Sequence, residues 1–200
     1  MARAAARPIW HERSVAPSDW ELVQRARTGD HDAFRELVER YQRKIAALAL
    51  GMLRSREDAL DIVQETFTKA YQSLDRFKGD AAFYTWVYRI AYNLCVDHQR
   101  RAAKGPQIGL DAEEDAPSAR ADGPHPDEPF ARARDAEIAR RVRAAIQDLT
   151  PDHRAVILLR ELEGLSYAEI SQVLECPKGT VMSRLHYARR QLQRRLRELL

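Results

Sequence analysis

Apolar positions recur along this chain at helical spacing. Phe34, Leu37, Val38, Tyr41, Ile45, Leu48 and Met52 step by three or four residues, so they share one face of a long helix. Ser18 with Glu21 has the spacing of a capping box and predicts a helix start ahead of it. Ser55 with Asp58 offers the next start, with Ile62, Val63, Phe67, Ala70, Tyr71 and Leu74 facing inward. Gly79 interrupts the period, which returns in Phe83, Trp86, Val87, Ile90, Ala91, Leu94 and Cys95. Four helices joined by short connections predict a compact bundle.

A second helical block follows. Ile138, Val142, Ile146 and Leu149 open it. Thr150-Pro151 reads as an N-cap followed by proline at the first helical position. Val156, Ile157 and Leu159 carry that helix to a stop at Gly164. Ser166 with Glu169 is another capping box, opening a short helix that turns Ile170, Val173 and Leu174 inward. After Cys176-Pro177, Val181, Leu185, Ala188, Leu192 and Leu196 line one face of the last helix. The prediction is an all-α chain of two helical domains, with no strand-like alternation of useful length and no internal repeat.

Charge separates the blocks. Residues 105–134 hold five of the nine prolines and few large apolar side chains, a composition that buries no core. Between Gly105 and Glu137 nine acidic residues face three arginines, a balance of −6. The net charge is +3, so the rest of the chain carries +9. The expected organisation is a disordered tail (1–17), an N-terminal domain (18–104), a flexible acidic linker (105–134) and a C-terminal domain (135–200). Two cysteines, Cys95 and Cys176, cannot form a disulfide framework and point to a reducing cytoplasm. The first residues lack the apolar core of a secretory signal, and the run Ile45 to Leu53 is too short to insert into a membrane.

Two stretches carry candidate chemistry. Short helix, tight turn and longer basic helix form a helix-turn-helix pattern over Tyr167 to His186. From Lys178 to Arg197 there is no acidic residue. Thr180, Ser183, Arg184 and Tyr187 fall on one stripe, flanked by Arg189, Arg190, Arg194 and Arg195, as duplex recognition requires. A solvated basic helix is the plainer alternative. The second stretch, Phe77 to Arg101, combines Phe77, Phe83, Tyr84, Trp86, Tyr88 and Tyr92 with Lys78, Arg89, Arg100 and Arg101. Tyr84, Tyr88 and Tyr92 repeat at four and form a stripe beside the core face. Flat rings next to cations suit unstacked bases. Core packing with a wet tyrosine edge is again the plainer alternative. Cys95 and His98 lack a second metal-ligand pair, and no phosphate-cradling loop or nucleophile constellation occurs, so neither metal, cofactor, small-molecule substrate nor enzymatic activity is expected.

DIVQETFTKAYQSLDRFKGDAAFYTWVYRIAYN, followed by LTPDHRAVILLRELEGLSYAEISQVLECPKGTVMSRLHYAR, resembles the extracytoplasmic-function sigma factors of bacteria, closest to the envelope-stress group. The resemblance covers about residues 18–104 and 135–197. It implies a sigma region 2 that binds core RNA polymerase through Asp61, Gln64, Glu65, Phe67 and Lys69. It implies a promoter −10 surface of Phe77, Gly79, Asp80, Ala81, Ala82, Phe83, Tyr84, Trp86, Tyr88, Arg89 and Asn93. The loop at 79–82 would accept a base turned out of the non-template strand, and Phe77 and Asn93 match positions that line that pocket. It implies a region 4 reading the −35 element through Lys178, Gly179, Thr180, Ser183, Arg184, Tyr187, Arg189 and Arg190. Partners implied are core polymerase, promoter DNA and an anti-sigma factor. Met182 and Tyr187 stand where many members carry cations. A polymerase-independent helix-turn-helix regulator is the competing reading; it calls for a sensor or dimerisation domain, and neither pattern is found. The linker permits two arrangements of the blocks, one occluded and one spread over polymerase.

Overall fold

The computed structural model describes residues 16–104 and 129–197. Their regular structure is helical: α1 (Asp19–Arg27), α2 (His31–Met52), α3 (Arg56–Gln72), a 3-10 turn (Leu74–Arg76), α4 (Phe83–Lys104), α5 (Pro129–Gln147), α6 (Pro151–Ile157), α7 (Tyr167–Val173) and α8 (Lys178–Arg195). Residues 1–15 of the expected tail and 105–128 of the expected linker lie outside the described residues. Helix α5 begins at Pro129, six residues before the expected domain boundary.

The predicted caps form. Ser18 and Ser166 each close a capping box with Glu21 and Glu169, and Ser55 and Thr150 cap the starts of α3 and α6; Asp30, not among the expected caps, caps α2. The α6 helix does not end at Ile157. It widens into a π turn over Leu158–Leu162 before Gly164, at a φ of +71°, breaks it. The turn between α7 and α8 contains Glu175 at a φ of +50°, a left-handed conformation that costs a non-glycine residue about 1 kcal/mol.

The two blocks are not separate bodies in this arrangement. Their cores run together from Leu22 and Leu37, through Met52 and Tyr88, to Leu158, Ile170 and Leu185. α7 lies against α4, and α6 against the end of α2. Gly51 makes that second approach possible: a Cβ there would stand 2.6 Å from the Leu158 side chain. The end of α2 is also held by hydrogen bonds from the other block. The Gln147 amide donates to the carbonyls of Gly51 (2.9 Å) and Leu53 (3.1 Å). Arg154, 7% exposed, donates to Met52 O at 2.6 Å and to the carbonyls of Ile146, Gln147 and Leu149. Four carbonyl dipoles satisfy a buried cation that has no carboxylate partner among the described residues, and burial lowers its pKa.

Candidate polymerase and nucleic-acid interfaces

Three surfaces carry the predicted site residues. The first is a groove of about 540 Å³ between α2 and α3, lined by Phe34, Val38, Leu60, Val63, Gln64, Phe67 and Tyr71 among others. Helical spacing explains it: Leu60, Val63, Gln64, Phe67 and Tyr71 step along one stripe of α3. Leu60 is 56% exposed and Tyr71 41%. Phe34 and Tyr71 meet edge-to-face at 4.9 Å between ring centroids. Of the expected polymerase contacts, Gln64 and Phe67 line this groove. Asp61 is exposed beside it, and Glu65 and Lys69 pair with each other at 2.9 Å on the neighbouring stripe. Leu60 is not among the expected site residues, and Tyr71, expected in the core, lies at the groove's edge.

The second surface is the loop before α4. Lys78, Gly79, Asp80 and Ala82 are exposed and Ala81 half-buried. Gly79 has a φ of +79°, which favours glycine. Phe77 and Phe83 are buried, with rings 5.7 Å apart and perpendicular, and Trp86 stacks 5.1 Å from Phe77. These rings therefore hold the loop from below. Arg27 reinforces them: its guanidinium donates to Leu74 O at 2.9 Å and to Phe77 O. Asn93 is exposed further along α4.

The tyrosine stripe departs from expectation. Tyr84, Tyr88 and Tyr92 are not a wet edge here, because the C-terminal block covers them. Tyr84 donates to Glu169, Tyr88 to Glu163 and Tyr92 to Asp152 (3.4 Å), and Arg89 pairs with Glu175. Tyr88 is 2% exposed. Burial, then the Glu163 bond, raises its pKa strongly. Burial and the charge of Asp152 push Tyr92 up to about 12. Conversely, the Tyr84 hydroxyl, followed by Ser166, holds Glu169 below the usual carboxylate range. Glu175, whose backbone is strained, is thus the residue that meets Arg89.

The third surface is α8. Val181, Leu185 and Ala188 bury its inner face against α6 and α7. Lys178, Gly179, Ser183, Tyr187, Arg189 and Arg190 are exposed and Thr180 half-buried. Arg184 departs from the expected stripe: it turns back, half-buried, to pair with Asp152, and lies 4.0 Å from the Cys176 sulfur. Arg189 pairs with Glu161 at 2.6 Å. Met182 (56% exposed) and Tyr187 (58%) face solvent. Among the described residues no group of acidic, histidine and cysteine side chains is arranged to hold a metal ion, and no helix is long and apolar enough to cross a membrane.

A helical unit with an open apolar groove and a glycine loop over an aromatic base, followed by a helix-turn-helix unit, defines a two-part transcription factor. Comparison with known sequences agrees. Residues 37–105 match the family described as Sigma-70 region 2, and residues 139–192 the family described as Sigma-70, region 4. Over 186 residues the chain is 41% identical to the ECF RNA polymerase sigma-E factor of Haemophilus influenzae, covering 92% of this chain and 97% of that one. It is 42% identical over 187 residues to the RNA polymerase sigma-H factor of Pseudomonas aeruginosa, covering 91% and 95%. Among solved structures, CnrH in complex with the cytosolic domain of CnrY superposes with a TM-score of 0.68 at 28% identity, covering 91% of this chain and 99% of that one. The chain belongs to the extracytoplasmic-function sigma factors of bacterial RNA polymerase. Such a factor is a non-enzymatic subunit for transcription initiation.

Proposed function

We propose that this chain directs core RNA polymerase to its promoters through the three surfaces in turn. The groove between α2 and α3 receives a helical element of the polymerase. Val63 and Phe67 supply its apolar floor, exposed Leu60 and Tyr71 its apolar edges, and Asp61, Gln64, Glu65 and Lys69 the polar rim. The loop 78–82, with Asn93 further along α4, meets the unpaired non-template strand at the −10 element. Lys78 supplies a cation there, and the loop accepts an extruded base. Helix α8 lies in the major groove of the −35 element, with Lys178, Thr180, Ser183 and Tyr187 toward the bases and Arg190 toward phosphate. The observation that carries this reading is the groove and the loop on one rigid bundle. Polymerase bound in the first is thereby set at a fixed distance from a strand held by the second.

The packed arrangement belongs to the factor off the polymerase. Tyr84, Tyr88 and Arg89 of the expected −10 surface are engaged with Glu169, Glu163 and Glu175, and Arg184 of the expected −35 surface with Asp152. DNA binding at both elements requires those contacts to exchange, so the blocks separate on the enzyme. An anti-sigma factor would act by holding the factor away from that separated form, in the cytoplasm where the polymerase works. Run-off transcription with purified core polymerase tests the reading. A product that appears only with this chain and starts at a fixed site supports it; no promoter-dependent product from a library of genomic fragments sinks it. Tight duplex binding without polymerase would favour an independent regulator.

A further inference from the structure

Trp20, on α1, takes no part in the three surfaces as first read. It is nevertheless 48% exposed, and its ring lies on the loop before α4. A Cβ on Gly79 would stand 2.7 Å from Cζ3 of the indole. Loop and ring are therefore fitted to one another, and the bare glycine is required both for its φ of +79° and for this contact. One side of the indole is in use. Phe77 lies 6.2 Å away between ring centroids, and the Arg27 guanidinium carbon stands 5.8 Å from the ring centroid while its nitrogens donate to Leu74 O and Phe77 O. The rest of the ring is open to solvent, and in the segment that leads into the loop Arg76 and Lys78 are exposed together with Asp75 and Asp80.

The charge around the ring is mixed. Of the acids flanking Trp20 on α1, Asp19 is neutralised by Arg40 at 3.0 Å, while Glu21, which accepts from the Ser18 backbone at 2.7 Å, keeps its charge. The Arg27 guanidinium stands beside the ring while it donates to Leu74 O and Phe77 O, just ahead of the loop. A flat, half-exposed indole packed on that loop, with the Arg27 cation beside it, has the make-up of a stacking platform for an unpaired base.

We propose that Trp20 stacks on a non-template-strand base adjacent to the one held by loop 78–82. The proposal rests on that loop being the −10 contact and assigns α1 a role in it. Every base offers a π face, so Trp20 sets the lifetime of the opened complex and not its sequence preference.

The test uses holoenzyme on a promoter that it has itself selected from a randomised duplex library. 5-Bromodeoxyuridine is placed at successive non-template positions, and after irradiation the adducts are mapped by mass spectrometry. One position bordering the opened segment should cross-link to Trp20. Trp20→Ala should shorten the half-life of the open complex about tenfold, with binding to core polymerase unchanged and Trp20→Tyr largely restoring it. An open complex with no adduct on Trp20 from any position overturns the proposal. So does a Trp20→Ala half-life within twofold of the parent. If Trp20→Ala also lowers the melting temperature, the cross-link on the unmutated factor decides alone. If the unmutated holoenzyme opens no promoter at all, it is the −10 assignment of the loop that fails.

Discussion

The hydroxyl of Tyr88 donates to the carboxylate of Glu163, joining α4 to the end of the α6 helix across 75 residues of chain. The phenol is almost fully buried, so this bond is its escape from an unpaired state. Removing the acceptor strands that hydroxyl only while the blocks are packed together. Glu163→Ala should therefore favour the separated form by roughly 1–2 kcal/mol, or about tenfold. The expected outcome is an affinity of the isolated factor for single-stranded promoter DNA about tenfold higher, read by fluorescence anisotropy. An unchanged affinity would mean that the packed form does not compete with DNA.

The groove gives a separate prediction. Leu60 is exposed at its edge and contributes little to the core, so Leu60→Asp should change stability by less than about 1 kcal/mol. A charge on the apolar contact surface of the groove has a much larger effect on binding. Affinity for core polymerase should fall by about a hundredfold in a titration with labelled factor. Loss of melting temperature in step with affinity would instead mark Leu60 as structural.

Met182 concerns the −35 contact. It is exposed on α8 one position before Ser183, where a cation would reach a phosphate. Met182→Arg should tighten holoenzyme binding to the duplex −35 element. It should also steepen the plot of log affinity against log salt by about 0.9, the share of one added phosphate contact. If both affinity and slope stay the same, that face of α8 does not touch DNA.

Packing of the blocks should depend on pH in a defined way. Glu169 is held below its ordinary value of 4.5 by Tyr84, so its contribution is present above that value and lost as pH falls through the lower one. Tyr92 is raised from 10.0 to about 12, so its contribution is complete below 10 and lost as pH rises toward 12. The distance between spin labels on α3 and α8 should stay constant from about pH 5 to 10 and lengthen on either side. A transition near neutrality would show that other groups control closure.

These relationships differ in how far the sequence discloses them. Helices and caps were legible because their signals are local: Ser18 with Glu21 and Ser166 with Glu169 each lie within one turn. Exposure of Tyr187 follows from the inward set Val181, Leu185 and Ala188. Tyr84, Tyr88 and Tyr92 were placed on one stripe correctly, but what covers them was hidden. Their partners lie 60 to 85 residues away, beyond a linker whose composition fixes no geometry. Arg154 was invisible for a related reason. A periodic pattern marks apolar core positions and has no term for a buried cation satisfied by carbonyls from another helix. Trp20 broke no pattern, and only the contact with Gly79 gave it significance.

The central claim is that one chain gives polymerase two kinds of DNA contact, opened strand at one end and duplex at the other. Permanganate footprinting on a library-selected promoter tests both ends at once. With core polymerase and this factor together, thymines in the −10 segment of the non-template strand should become reactive while the −35 segment is protected as duplex. Neither component alone should produce the pattern. Protection without reactive thymines, or a full footprint from the factor without polymerase, would contradict it.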